Sequence, residues 1–243
     1  LHHVKRIINK TDGVFTVSNY MKNMLLQMGV TAPIYVIPNG NDLVDYKDSS
    51  CDLSALKKEF NIQDNNLIFM YSGRIVETKN LTFLLDALNL LKQTIPNFKI
   101  LFVGDGNIDK YKSYAKKINL SDNCIFTGAI TDRKKLAMLY KLSDLYLYPS
   151  TGESFGLTIR EAGIMGTPSV TVENCATSED ILHNKNGFVS KNSIEDFSQT
   201  ILNAIHNPQL PQIGINASKA FNQSWEDITT IHINKYEEFI NKK

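Results

Sequence analysis

Two glutamates, Glu153 and Glu161, stand eight positions apart in the stretch PSTGESFGLTIREAGIMGTP, residues 149–168. A carboxylate accepts hydrogen bonds only, so it pairs naturally with vicinal hydroxyls such as those of a ribose or a hexose. Gly152, Glu153 and Ser154 lie in a turn-like segment, and the apolar-periodic run from Phe155 to Met165 reads as a helix. The free N–H groups and positive dipole end of that helix suit an anion, a diphosphate above all. Glu161 lies seven residues beyond Ser154, close to two helical turns, so the two are expected on one face. Glu153, before the helix, is expected nearer the phosphate, where it would hold a sugar. The bland alternative is a dipole-favouring glutamate before the helix and a solvated one inside it.

Three further strand ends carry candidate chemistry. In YSGRIVETKN (71–80) a strand is followed by Gly73, Arg74 and, just before a helix, Lys79. A planar guanidinium fork and an ammonium point charge together match a diphosphate, although two solvated surface cations explain the pair equally well in isolation. In VGDGN (103–107) two glycines allow close backbone approach. Without a third spaced glycine, a tight turn is the better reading than a dinucleotide fingerprint. In TGAI (127–130) the backbone at Ala129 and Ile130 is placed to face a planar base, or is a plain strand-to-helix loop.

The elements that must position these residues alternate. Strand-like runs fall at 13–17, 34–37, 67–72, 99–104, 124–128, 145–149 and 168–172. Helical runs fall at 80–95, 109–118, 132–142, 155–165 and 194–205, and in the first of these Leu81, Leu84, Leu85, Leu88 and Leu91 keep helical spacing. Strand, helix, strand, repeated, predicts a parallel sheet covered on both faces: an α/β fold, a Rossmann-like doubly wound domain. In such sheets ligands bind beyond the carboxyl ends of the strands, where all four candidate segments lie. Residues 41–66 read as a polar hinge with one short helix, separating a leading piece (1–40) from the body (67–222), with a terminal helix over 223–243. The leading piece is too small to bury a sheet by itself and reads as the end of a preceding domain.

At 243 residues and 42% hydrophobic the chain supports a real core, and a formal charge of +1 argues against an extended nucleic-acid footprint. The three cysteines, Cys51, Cys124 and Cys175, are far apart with no Cys-x-x-Cys spacing, which reads as reduced thiols of a cytosolic protein. No apolar run reaches the roughly 20 residues that span a bilayer.

Taken in order, the motifs resemble those of the retaining, nucleotide-sugar-dependent glycosyltransferases of family 4 (group 1), built from two Rossmann domains (GT-B). ESFGLTIREAGIMGTPSV resembles their Glu-x7-Glu signature. VSNYMKNMLLQMG and VIPNGND resemble the end of their N-terminal domain and the hinge. YSGRIVETKNLTFLLDAL, LFVGDG and SDLYLYPS are similar to their Gly-Arg…Lys element, glycine turn and pre-signature strand, and SWEDITTIHINKYEEF to a terminal helix that crosses back to the first domain. Where many relatives read Leu-Glu-Ala-Met-Ala, this chain has Arg160 before Glu161 and Gly163-Ile-Met after it.

The resemblance implies a hexosyltransferase that retains anomeric configuration, in cell-surface polysaccharide or glycolipid synthesis. It implies catalytic roles for Glu153, Arg74 and Lys79: Arg74 and Lys79 on the donor diphosphate, Glu153 on the transferred sugar. Glu161 would hold the ribose, Ala129 and Ile130 would lie by the base, and Gly73, Gly152, Ser154, Phe155 and Gly156 would contact the donor through the backbone. No metal and no cofactor are implied; the donor is a nucleotide-diphospho-sugar, UDP- or GDP-linked, and the acceptor a carbohydrate or lipid-linked molecule. No nucleic-acid partner is expected. The expected location is cytoplasmic, at the inner face of the membrane through the remainder of the N-terminal domain. Because that domain is represented only by residues 1–40, the chain alone is expected to bind donor without transferring sugar. The rivals are a non-enzymatic nucleotide-binding module, a nucleotide-sugar epimerase, and a dehydrogenase, which lacks its Gly-x-Gly-x-x-Gly at the first strand of the body.

Overall fold

A computed structural model of the chain describes residues 2–49 and 52–241. Cys51 lies outside the described residues, and the side chains of His2 and His3 are not described. The leading piece contains α1 (His2–Ile8), β1 (Val14–Thr16), α2 (Asn19–Gln27) and β2 (Ile34–Val36). β1 and β2 pair in parallel with Val14 opposite Ile34. Val30, Ala32 and Ile34 bury a small apolar cluster against Ile8, Val14 and Leu25. α2 starts where Ser18 takes an extended backbone and its hydroxyl accepts the Met21 N–H.

The body follows as α3 (Leu53–Glu59), β3 (Leu67–Ser72), α4 (Leu81–Lys92), β4 (Phe98–Val103), α5 (Ile108–Lys117), β5 (Cys124–Gly128) and α6 (Arg133–Leu142). It continues with β6 (Leu145–Tyr148), α7 (Leu157–Ile164), β7 (Ser169–Val172), β8 (Phe188–Ser190), α8 (Ile194–Ile205) and α9 (Leu210–Ala220). The final element is α10 (Trp225–Ile240). The doubly wound reading holds: six parallel strands lie in the order β5-β4-β3-β6-β7-β8. The strands at 67–72 and 124–128 have the predicted bounds. β8 was not expected from the sequence.

Strand order decides where a ligand can sit. From β3 the chain moves outward to β4 and β5, then returns across β3 to β6 and moves outward the other way. Between β3 and β6 the order reverses, and the loops leaving their carboxyl ends diverge to opposite faces, opening a crevice. The loops 73–79 and 149–156 border that crevice.

The segment 41–66, read as a polar hinge, is more than a connector. Leu43, Leu56 and Ile62 are buried in the main core, so α3 and the residues around it are packed into the body. The narrower crossing is at Gly40, where a Cβ would lie 2.5 Å from the Trp225 Cα, and the Asn41 N–H donates to the Gln223 carbonyl at 3.0 Å. The two passages of chain between the leading piece and the body therefore run side by side. α10 then lies back on the leading piece, with the Phe15 ring 5.3 Å from both His232 and Tyr236.

Candidate functional site

The base of the crevice is aromatic. Tyr146 and Tyr148, two apart on β6, point to one face, where Tyr148 stacks on Tyr146 and on Tyr71 of β3, each at 5.8 Å between ring centroids. Burial pushes all three phenols above their usual range, so they stay protonated and act as hydrogen-bond donors.

Glu153 lies at the mouth of this stack. Its Oε1 takes the Lys79 ammonium in an ion pair, the Ser150 hydroxyl at 2.8 Å and the Tyr148 hydroxyl at 3.0 Å. No hydrogen bond reaches its Oε2 from the described residues. Burial acts to raise the Glu153 pKa, but the hydrogen bonds from Lys79 and Ser150, the Lys79 charge and the Tyr148 hydroxyl together hold it below the usual range. Arg74, after β3, is exposed, and among the described residues no carboxylate pairs with its guanidinium. Its carbonyl accepts the Tyr71 hydroxyl at 3.0 Å. The three residues assigned to diphosphate and sugar therefore border one crevice, with Lys79 and Glu153 in contact.

Glu161 lies deeper. Its side chain is 6% exposed, which overturns the solvated-helix alternative. The expectation that it shares a helical face with Ser154 fails as well, because α7 starts at Leu157 and Ser154 precedes it. The delay comes from Gly156, whose positive φ of 75° turns the chain before the first helical residue. The Glu161 Oε1 accepts from Arg133 at 2.9 Å and its Oε2 from the Tyr140 hydroxyl at 2.7 Å. Tyr140 in turn bonds the Ser72 hydroxyl, Ser72 bonds Tyr146, and Tyr146 donates to Thr158 at 2.8 Å. Ser72 is the last residue of β3, so this buried chain of hydroxyls ties Glu161 to the carboxyl ends of both central strands.

The remaining candidates are placed as follows. Gly73 leaves β3 and its N–H donates to Val103 at 2.9 Å. Gly104 approaches so closely that a Cβ there would lie 2.0 Å from the Gly73 carbonyl oxygen, so the glycines of VGDGN serve backbone packing between two crevice loops. Ala129 is exposed and Ile130 half-buried at the loop after β5. Gly152 and Ser154 are exposed, and the buried Phe155 lies under Arg160, whose guanidinium stacks 3.5 Å from the ring and donates to the Phe155 carbonyl at 2.6 Å. Arg160, singled out only as a departure, thus braces the turn into α7, together with its ion pair to Asp180. Gly163 has a packing role: a Cβ there would lie 2.3 Å from Phe221 of the segment after α9.

Sequence reasoning missed Ser72, Tyr140, Tyr146, Tyr148, Ser150 and Arg133. The alternation in LYLY carried a signal for the two tyrosines of β6; the others become partners only through the fold. Across the crevice, the Ser18 hydroxyl donates to the Ser154 carbonyl at 2.7 Å. The Glu179 carboxylate accepts the Asn19 and Tyr20 backbone N–H groups at 2.7 Å each. A separate open concavity of about 530 Å³ beside edge strand β5 includes Lys112, Lys116 and Cys124 and none of these residues. Burial pushes the Cys124 thiol up to about 12, which disfavours the thiolate. Among the described residues no group of three or more His, Cys, Asp or Glu side chains is placed to hold a metal ion, and no helix is long and apolar enough to cross a membrane.

Comparison with known proteins bears on the family and the fold. The family described as glycosyl transferases group 1 matches residues 52–221, and glycosyltransferase family 4 matches residues 1–45. The alpha-monoglucosyldiacylglycerol synthase of Streptococcus pneumoniae is 29% identical over 175 residues, 70% of this chain and 40% of that protein. The processive diacylglycerol alpha-glucosyltransferase of Acholeplasma laidlawii is 24% identical over 87% of this chain and 63% of its own length. The chain thus spans about two-fifths to three-fifths of these relatives. Anabaena Alr3699/HepE, solved in complex with UDP-glucose, superposes with a TM-score of 0.84 at 26% identity, over 99% of this chain and 67% of that one. A glycosyltransferase from Rickettsia africae superposes with a TM-score of 0.89 at 23% identity, over 100% and 68%, and so matches in fold. The order-reversal crevice, its paired cation and carboxylate, and a family match over residues 52–221 converge: the chain belongs to the group 1 glycosyltransferases.

Proposed function

We propose that the chain carries the donor-binding half of a retaining glycosyltransferase that moves a hexose from a UDP-sugar to a lipid or lipid-linked carbohydrate acceptor. The observation that carries this reading is the meeting of Lys79 and Glu153 at the reversal between β3 and β6, beside the free N–H groups of α7. Lys79, Arg74 and the α7 amides would take the diphosphate and neutralise the charge that develops on it as the glycosidic bond breaks. Glu153, with Oε2 open, would accept hydroxyls of the transferred sugar, Glu161 the ribose hydroxyls, and the backbone at Ala129 and Ile130 the base. The cations at the diphosphate make the proposed transfer metal-independent. Retention follows the family resemblance, and UDP is favoured by the UDP-glucose complex of the Anabaena neighbour. The names of the pneumococcal and Acholeplasma relatives support a glucosyl donor and a lipid acceptor.

Transfer also requires the acceptor hydroxyl held against the anomeric carbon, positioning that accounts for roughly 7–11 kcal/mol of such barriers. Residues 1–40 add only two short strands and two helices on that side, so we propose that this 243-residue chain binds donor without transferring it. Calorimetry with UDP, UDP-glucose, GDP, ADP and NAD tests the donor assignment; preference for NAD, or no nucleotide binding, overturns it. Acceptor-dependent release of UDP by this chain at the rate of a longer form containing the whole N-terminal domain would overturn the second part.

A further inference from the structure

Glu161 is held from two sides, and one of those sides leads out of the site. Arg133 donates from Nη2 to the Glu161 Oε1 at 2.9 Å. The same guanidinium is gripped by Asp42, through Nε at 2.8 Å and through Nη2. Asp42 belongs to the segment that enters the body, next to Asn41, whose N–H is fixed on Gln223 where the chain leaves it. Burial works against the Arg133 charge, but the two carboxylates outweigh it and keep the guanidinium protonated. One arginine therefore links the crossing between the two parts of the chain to the carboxylate at the bottom of the crevice.

The arrangement also counts lone pairs. A carboxylate offers about four acceptor sites. Arg133 takes one on Oε1 and Tyr140 one on Oε2, leaving one on each oxygen, which matches two vicinal hydroxyls. A side chain with 6% exposure has little room to find another rotamer, so what fixes its two oxygens fixes what can be read by them. Arg133 is 32% exposed and lies at the start of α6, directly after the loop containing Ala129 and Ile130.

We propose that Asp42 and Arg133 are positioning residues for the nucleotide ribose: Asp42 orients Arg133, and Arg133 holds Glu161 so that its two free lone pairs face the 2′- and 3′-hydroxyls. The inference rests on the ribose role proposed for Glu161. It makes the preference for a ribonucleotide over its 2′-deoxy form a property of the chain crossing as well as of the crevice.

The experiment measures the dissociation constants of UDP and 2′-deoxy-UDP by calorimetry on the wild-type chain, Glu161→Gln, Arg133→Gln, Arg133→Lys and Asp42→Asn, with GDP and 2′-deoxy-GDP in parallel. Thermal unfolding of each variant establishes that it is folded. In the wild type the 2′-deoxy form is expected to bind about tenfold or more weakly, the worth of one hydrogen bond to a charged acceptor. Glu161→Gln should remove most of that ratio. Arg133→Gln and Asp42→Asn should each lower it at least about threefold, and Arg133→Lys, which restores one charged donor, should recover part of it. If Arg133→Gln and Asp42→Asn weaken both nucleotides equally, the two residues merely support the fold and the proposal is overturned, while the Glu161 assignment stands. A ratio that survives Glu161→Gln, or is absent from the wild type, overturns the ribose role of Glu161 and this proposal with it. Should Arg133→Gln unfold, Asp42→Asn at a half-exposed side chain still decides the matter.

Discussion

The ammonium of Lys79 is paired with Oε1 of Glu153 across 74 positions of sequence, and the two side chains are only 16% and 17% exposed. The cation proposed for the diphosphate and the carboxylate proposed for the sugar thus neutralise one another. A diphosphate must compete for Lys79, and in doing so it frees Oε1 of Glu153. Lys79→Ala is expected to weaken UDP binding by about 1.5–3 kcal/mol, the loss of a hydrogen bond to a charged group. Glu153→Gln is expected to leave UDP affinity unchanged or raise it, because Lys79 is released, and to weaken UDP-glucose relative to UDP. Calorimetry on both variants with both ligands checks this; equal losses for the two ligands in Glu153→Gln would contradict the sugar-facing role.

The same pair predicts a pH dependence. Glu153 titrates below its ordinary value of about 4.3 in the folded state, so the unfolded chain binds its proton first as pH falls. Its contribution to stability is therefore complete above about pH 4.3 and is lost as pH falls through the lower folded value. Urea unfolding between pH 7 and pH 3 should show wild-type stability falling more steeply below about pH 4.3 than that of Glu153→Gln. Parallel curves across that window would mean that the ion pair adds nothing to folding.

Two glycine substitutions should separate packing from binding. Gly104→Ala places a methyl 2.0 Å from the Gly73 oxygen and must push the loop 73–79 out of the crevice. Gly163→Ala places one 2.3 Å from Phe221, where α7 meets the segment after α9. Overpacking of this kind costs about 1–3 kcal/mol, so both variants should melt earlier. Only Gly104→Ala should also lose UDP affinity, because only that methyl displaces the neighbouring loop 73–79 that carries Arg74 and Lys79. Thermal unfolding and calorimetry on the same samples test the contrast.

Glu179 caps the N-terminus of α2 from the body, accepting the Asn19 and Tyr20 N–H groups and the Asn19 side-chain amide. Removal of a helix-capping acceptor costs about 0.5–2 kcal/mol. In Glu179→Ala the amides of Asn19 and Tyr20 should exchange with deuterium faster, while those of the central strands β3 and β6 remain as protected as in the wild type. Unchanged exchange at Asn19 and Tyr20 would show that the cap is dispensable for holding the leading piece on the body.

Most of what the chain is made of was legible in its sequence, because it is local. Runs such as LIFMYS and CIFTG are apolar, β-branched or aromatic and short, and the leucine spacing of 81–91 matches one buried helix face; the structure forms strands and a helix there. Glu153 and Glu161 were visible as carboxylates after a strand, and Arg74 and Lys79 as cations after another. Their surroundings were not visible, because hydrogen-bond partners and burial are set by strand order. Whether β6 lies beside β3 or at an edge is decided by how all the helices share the two sheet faces, and no single segment encodes that. Only once β6 is inserted does Glu153 meet Lys79. Likewise Glu161 reads as an ordinary helical glutamate until α6 delivers Arg133 and Tyr140 to it and the segment 41–66, read from sequence as a polar hinge with one short helix, packs Leu43 into the core and brings Asp42 to Arg133. Residue chemistry and helix or strand period are written position by position; the charge partners that tune the site depend on long-range burial, and that exists only in the folded chain.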